Sequence, residues 1–119
     1  MADFRKLKVW WKGRMLAGDI YRITEHFPPE EKFNLAAQMQ RASISVISNV
    51  AEGCGRQSGK EFARFLYIAR GSLFELETQL YVAGDLGLIA KEKAEPLLSQ
   101  AEEIGRMLAQ LIKTVENRS

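Results

Sequence analysis

Residues 49–62 read NVAEGCGRQSGKEF. Gly53 and Gly55 are suited to the left-handed backbone that ends a helix without a steric penalty. Ser58-Gly59-Lys60-Glu61 has the pattern of a capping box. In it the serine hydroxyl accepts one free backbone N–H at a helix start and the glutamate carboxylate accepts another. A stop signal followed by a start signal predicts a turn between two helices.

Apolar residues recur at spacings of three and four on both sides of that turn, and no strand-like alternation is present. Upstream, EEKFNLAAQMQRASISVISNVAE predicts a helix over 30–52. It carries two apolar stripes, Leu35, Met39, Ala42, Val46, Val50 and Phe33, Ala37, Ile44, Ile47, Ala51, so it is expected to be buried on two sides. Pro29 fits its first turn, with Glu30 and Glu31 near the positive end of the helix dipole. The pair Pro28-Pro29 stops an earlier helix over 8–26, whose face is Val9, Leu16, Ile20, Ile23 and Phe27. Downstream, a helix over 59–86 buries Phe62, Phe65, Leu66, Ala69, Leu73, Leu76, Leu80 and Ala83, and Gly84 and Gly87 end it. A second line along it, Tyr67, Gly71, Phe74, Thr78 and Tyr81, alternates large with small, as a close helix contact requires. A fourth helix over 91–116 carries Leu97, Ala101, Ile104, Leu108, Leu111 and Val115, with Pro96 in its first turn and 90–94 a looser lead-in.

Four amphipathic helices with short links predict an all-α, antiparallel up-down-up-down four-helix bundle. The apolar faces of the middle two helices exceed what one bundle hides, which predicts a homo-oligomer with Trp11, Tyr67, Gly71, Phe74 and Tyr81 at the subunit contact. Trp10 and Trp11 diverge by about 100° around a helix, so both cannot face one core. One packs inside; the other meets a subunit or partner, or covers helix ends.

A chain of 119 residues is one domain, here 1–119. A single cysteine forms no internal disulfide and suits a reducing compartment. The N-terminus has no apolar run like a signal peptide, no segment reaches membrane-span length, and the leading methionine reads as a complete chain. These features place the protein in the cytoplasm, away from membranes. Net charge is only +2 but is unevenly spread. Arg5, Lys6, Lys8, Lys12 and Arg14 face only Asp3 in residues 1–14, and Arg41, Arg56, Lys60, Arg64 and Arg70 face Glu52 and Glu61 in residues 41–70. The remainder is acidic.

The run SNVAEGCGRQSGKEFARFLYIARGSLFELETQL, Ser48 to Leu80, strongly resembles the four-helix bundle family of 23S rRNA intervening sequence proteins. FRKLKVW, the FP after the first helix, DLG after the third and EEIGRML in the fourth fit too, so the resemblance spans nearly the whole chain. It implies a bacterial homopentamer, with a relationship to the accessory variability determinant of diversity-generating retroelements, whose members bind nucleic acid and a reverse transcriptase through basic surfaces. One departure is Ile47, where family members often have proline; isoleucine keeps the helical hydrogen bond.

The residues argue against catalysis, and no cofactor or metal is expected. His26 stands alone at a helix end, where it suits the dipole rather than a ligand set. Cys54 lies near Arg56, which would lower its pKa, but has no partner base. GCGRQSGK lacks the spacing of a phosphate loop and follows a helix rather than a strand. A helix start at Ser58, flanked by Arg56 and Lys60, remains able to hold one phosphate group. The sharper expectation is RNA or DNA held by its backbone through Arg56, Lys60 and Arg64, extended by Lys8, Lys12 and Arg14. Because Phe62 and Phe65 fit the core, no exposed aromatic is expected to stack on bases. The competing expectation is a protein-interaction scaffold that holds a partner protein and no nucleic acid.

Overall fold

The computed structural model describes residues 3–118, and among them all regular structure is helical. Four helices, α1 (Lys8–Thr24), α2 (Leu35–Cys54), α3 (Gly59–Asp85) and α4 (Lys91–Glu116), form a rod-shaped bundle of 48 × 23 × 20 Å. Short 3₁₀ turns occupy Phe4–Lys6 and Pro29–Glu31. α1 touches α2 and α4, and α3 touches the same two; α1 does not meet α3, nor α2 meet α4. The helices therefore sit at the corners of a square around one core. Leu16, Ile20, Met39, Val46, Val50, Phe62, Leu66, Leu73, Leu76, Leu80, Ile104 and Leu108 fill it without measurable exposure beyond 2 %.

The end of α1 and the start of α2 shift from the sequence reading, and α4 keeps its expected span but places Pro96 differently. α1 ends at Thr24, because the Thr24 hydroxyl donates to the Ile20 carbonyl at 2.7 Å and the next residues tighten into a 3₁₀-type turn. α2 begins at Leu35 rather than residue 30. Glu31 nevertheless serves its free end, accepting the Leu35 N–H at 3.4 Å. Phe33 consequently leaves its predicted buried stripe and is 87 % exposed, and Ile44 is exposed as well. α4 starts at Lys91 with Pro96 inside it rather than in its first turn. Pro96 has no N–H to give the Glu92 carbonyl, and both residues lie on the exposed side of the helix.

The turn that decides the fold is present, but its glycines act differently. Gly53 lies inside α2 and Gly55 has φ −82°, so neither is left-handed. A Cβ on Gly53 would stand 2.7 Å from the buried Phe62 ring; glycine is needed there for close approach. The left-handed stop is at Gly87, φ +73°, where Leu88 N–H reaches the Ala83 carbonyl and Gly87 N–H reaches Gly84. Gly84 itself remains within α3. Ser58 caps α3 by accepting the Glu61 N–H at 3.1 Å, whereas the Glu61 carboxylate turns outward to Arg64 instead of back to the helix start. Ile47 keeps α2 unbroken and packs on α1, where only a glycine at position 13 leaves it room.

Candidate nucleic-acid interface

Folding brings three separated stretches to one end of the bundle. The start of α3 lies directly against the last turn of α4: a Cβ on Gly59 would overlap the Val115 carbonyl oxygen and stand 2.8 Å from Arg118 Cβ. The N-terminal 3₁₀ turn rests on α1 and α2, and Asp3 is close enough to add to the upward shift of the Cys54 pKa. Leu7, Lys8 and Val9 line one cleft with Met107, Gln110, Leu111 and Thr114 of α4. Residues 3–14, 52–64 and 113–118 thus share this half of the bundle and carry ten basic side chains against four acidic ones, with Glu103 of α4 a fifth carboxylate beside Lys12. Outside them the remaining residues carry a net negative charge.

Not every predicted cation is free. Arg56 donates to Glu52 at 3.0 Å and Arg64 to Glu61 at 3.3 Å, and both guanidinium groups lie 4.6 Å from the Phe65 ring. Phe65 is therefore a half-buried platform clasped by two arginines rather than a core residue. Lys12 donates to Glu103 of α4 at 3.3 Å. Lys8, Arg14 and Lys60 have no carboxylate partner among the described residues. Arg14 lies instead over the rings of Trp10, at 5.4 Å, and Trp11, at 4.9 Å. The helix start at Ser58 has its cap made internally, and Arg56 points to Glu52 and Phe65.

The residues expected at a subunit contact fall into two groups. Tyr67, Gly71, Phe74 and Tyr81 do line one exposed face of α3. Arg70 lies over the rings of Tyr67 and Phe74, and Tyr67 donates its hydroxyl to Glu116 at 3.0 Å, a bond that raises the phenol pKa. Trp11 does not join this face. It belongs to α1, which is diagonal to α3, and its indole N–H donates to the Arg5 carbonyl at 2.7 Å. Trp10 is the more covered of the two tryptophans and packs against the core.

Cys54 is buried, and burial pushes its thiol pKa up, contrary to the lowering expected from Arg56. His26 is exposed after the end of α1. No three His, Cys, Asp or Glu side chains converge among the described residues, and no described helix is long and apolar enough to cross a membrane.

A four-helix bundle with a basic end is the class of protein that these features define. The chain belongs to the 23S rRNA-intervening sequence protein family, whose sequence model matches residues 5–110. It is similar to a crystal structure of a protein with unknown function, of the S23 ribosomal protein family, from Bacteroides thetaiotaomicron VPI-5482. The two share 27 % identity and superpose with a TM-score of 0.82 over 88 % of this chain and 98 % of the other. No curated protein matches the chain.

Proposed function

We propose that this chain is a non-catalytic accessory protein of the cytoplasm that holds the phosphate backbone of RNA or DNA without reading sequence. It works as a homo-oligomer of antiparallel up-down-up-down bundles. The gathering of ten basic side chains against five acidic ones, Glu103 beside Lys12 included, in one half of the bundle supports this reading. Opposite charge there releases counterions from a polyanion, and copies in an assembly multiply the effect. The family name refers to 23S rRNA, and the description of the Bacteroides relative names a ribosomal protein family; both accord with an RNA partner. The links 55–58 and 86–90 are short enough to favour antiparallel neighbours.

A salt titration of binding to single- and double-stranded RNA and DNA tests the reading. Affinity should fall linearly on a log–log plot as salt rises, and absence of binding at low salt overturns it. Lys60→Ala and Lys8→Ala, which remove unpaired charges, should each lower the slope by about one. Arg56→Ala and Arg64→Ala should act less, because each also releases a glutamate.

The exposed α3 face supports assembly. Gly71 sits mid-helix between Tyr67 and Phe74, and a Cβ there would meet nothing within 4 Å of its own chain. An exposed glycine in a helix costs about 1 kcal/mol relative to alanine, so close approach of a second copy gives it a reason. The family resemblance supports an assembly of five subunits. Gly71→Leu should leave the bundle folded and lower the mass measured in solution; a wild-type monomer at micromolar concentration overturns assembly. The same aromatic face supports the scaffold alternative. There, removing basic residues would change nothing, and Phe74→Ala would abolish capture of a protein partner.

A further inference from the structure

Trp11 is 48 % exposed, although tryptophan is on average a well-covered residue. Its ring is nevertheless fixed. The indole N–H is held by the Arg5 carbonyl at 2.7 Å, and the ring meets Trp10 edge-on with centroids 5.4 Å apart. The guanidinium of Arg14 lies 4.9 Å from its centroid and is free of any carboxylate among the described residues. Lys8, equally unpaired, is one turn earlier on the same helix. A rigid, solvent-facing aromatic beside unpaired cations suits a ligand that brings a flat π-surface and an anion together. A nucleotide whose base is not paired has both. A base pair within a duplex keeps its faces covered by its neighbours, and an apolar protein surface would strand Arg14 and Lys8 without partners.

The geometry points to Trp11, backed by Arg14, as a stacking platform for unpaired nucleobases, so that the basic end selects single-stranded over double-stranded nucleic acid. Stacking presupposes that this end holds nucleic acid, as proposed above. Base–aromatic stacking tolerates any base, which agrees with binding that does not read sequence. Because the indole is already immobilised, little side-chain freedom is lost when a base arrives.

The test uses the full chain with a thymidine homopolymer strand and with a random-sequence duplex of equal length, at matched salt. The wild type should prefer the single strand by roughly tenfold or more, with quenching of tryptophan emission on binding. Trp11→Leu should remove that preference and most of the quenching while leaving duplex affinity and its salt slope unchanged. Trp11→Leu also loses the bond to residue 5. Trp11→Phe loses the same bond but keeps an aromatic face, so it should retain most of the preference. Single-strand affinity undiminished in Trp11→Leu, or equal binding of strand and duplex by the wild type, overturns stacking while the charged surface stands. Binding of neither polymer overturns both. A fall in solution mass on Trp11→Leu, with single-strand affinity per chain unaltered, assigns the ring to a subunit contact and overturns the platform.

Discussion

The two connections that flank α2 are built on opposite plans. Between α2 and α3, Gly53 faces Phe62 at a distance that admits no side chain, Ser58 caps the next helix, and Gly59 rests on the backbone of α4. Between α1 and α2, the chain runs through Pro28-Pro29 and a 3₁₀ turn, leaves Phe33 almost fully in solvent, and enters α2 with no side-chain cap from Asn34. A cleft of about 670 Å³ lined by Phe27, Phe33 and Ala36 opens beside it. Both connections are rich in residues that break helices. What separates them is distance: at one, backbone meets backbone across helices, and at the other, an exposed loop borders open space. The close-packed end is also the basic one, so charges that repel one another are held where backbone packs against backbone.

That contrast can be broken by substitution, and the largest effect is expected at Gly59. Gly59→Ala forces α3 away from the Val115 carbonyl, which no rotamer change can relieve. It should destabilise the fold by about 2–3 kcal/mol and lower the melting temperature by on the order of 10 °C. A melting temperature equal to wild type would show that the two helix ends are not in contact. Ser58→Ala leaves the Glu61 N–H without its acceptor and should cost about 1 kcal/mol, read from denaturant midpoints at unchanged slope. At the other connection, Phe33→Ser should alter stability by no more than about 0.5 kcal/mol. A loss as large as that of Ser58→Ala, appearing only at protein concentrations that support assembly, would mean a second copy covers Phe33.

Much of this architecture was legible in the residues. The 3.6-residue recurrence of apolar side chains placed all four helices, and Ser58 with Glu61 marked the start of α3. The core stripe of α3 is buried as read, apart from Phe65, which is half-buried. The reading failed where two physical explanations share one sequence signal. Glycine near a helix end signals either a left-handed residue or a close contact, and Gly53 proved to be the second while Gly87 is the first. Pro96 signals a first turn only if its neighbours do not already form helix, and Lys91–Glu95 do. Of the residues expected at a subunit contact, only part of the spatial grouping was legible. The spacing of Tyr67, Gly71, Phe74 and Tyr81 placed them on one face, but nothing in the spacing of α1 revealed that Trp11 lies diagonally across the bundle. That one of Trp10 and Trp11 points outward was legible from their divergence around the helix, but the place of Trp11 beside Arg14 at the basic end depends on which corner α1 occupies.

The order of residues alone determined that this chain makes four amphipathic helices joined at glycine and proline breaks, since periodicity and caps act within a few residues. Only packing decided where its charge collects. Residues 3–14, 52–64 and 113–118 are remote along the chain, and they share one end because α3 begins where α4 finishes. Electrostatic potential depends on distance through space, so a nearly neutral sequence folds into a molecule with one strongly basic end.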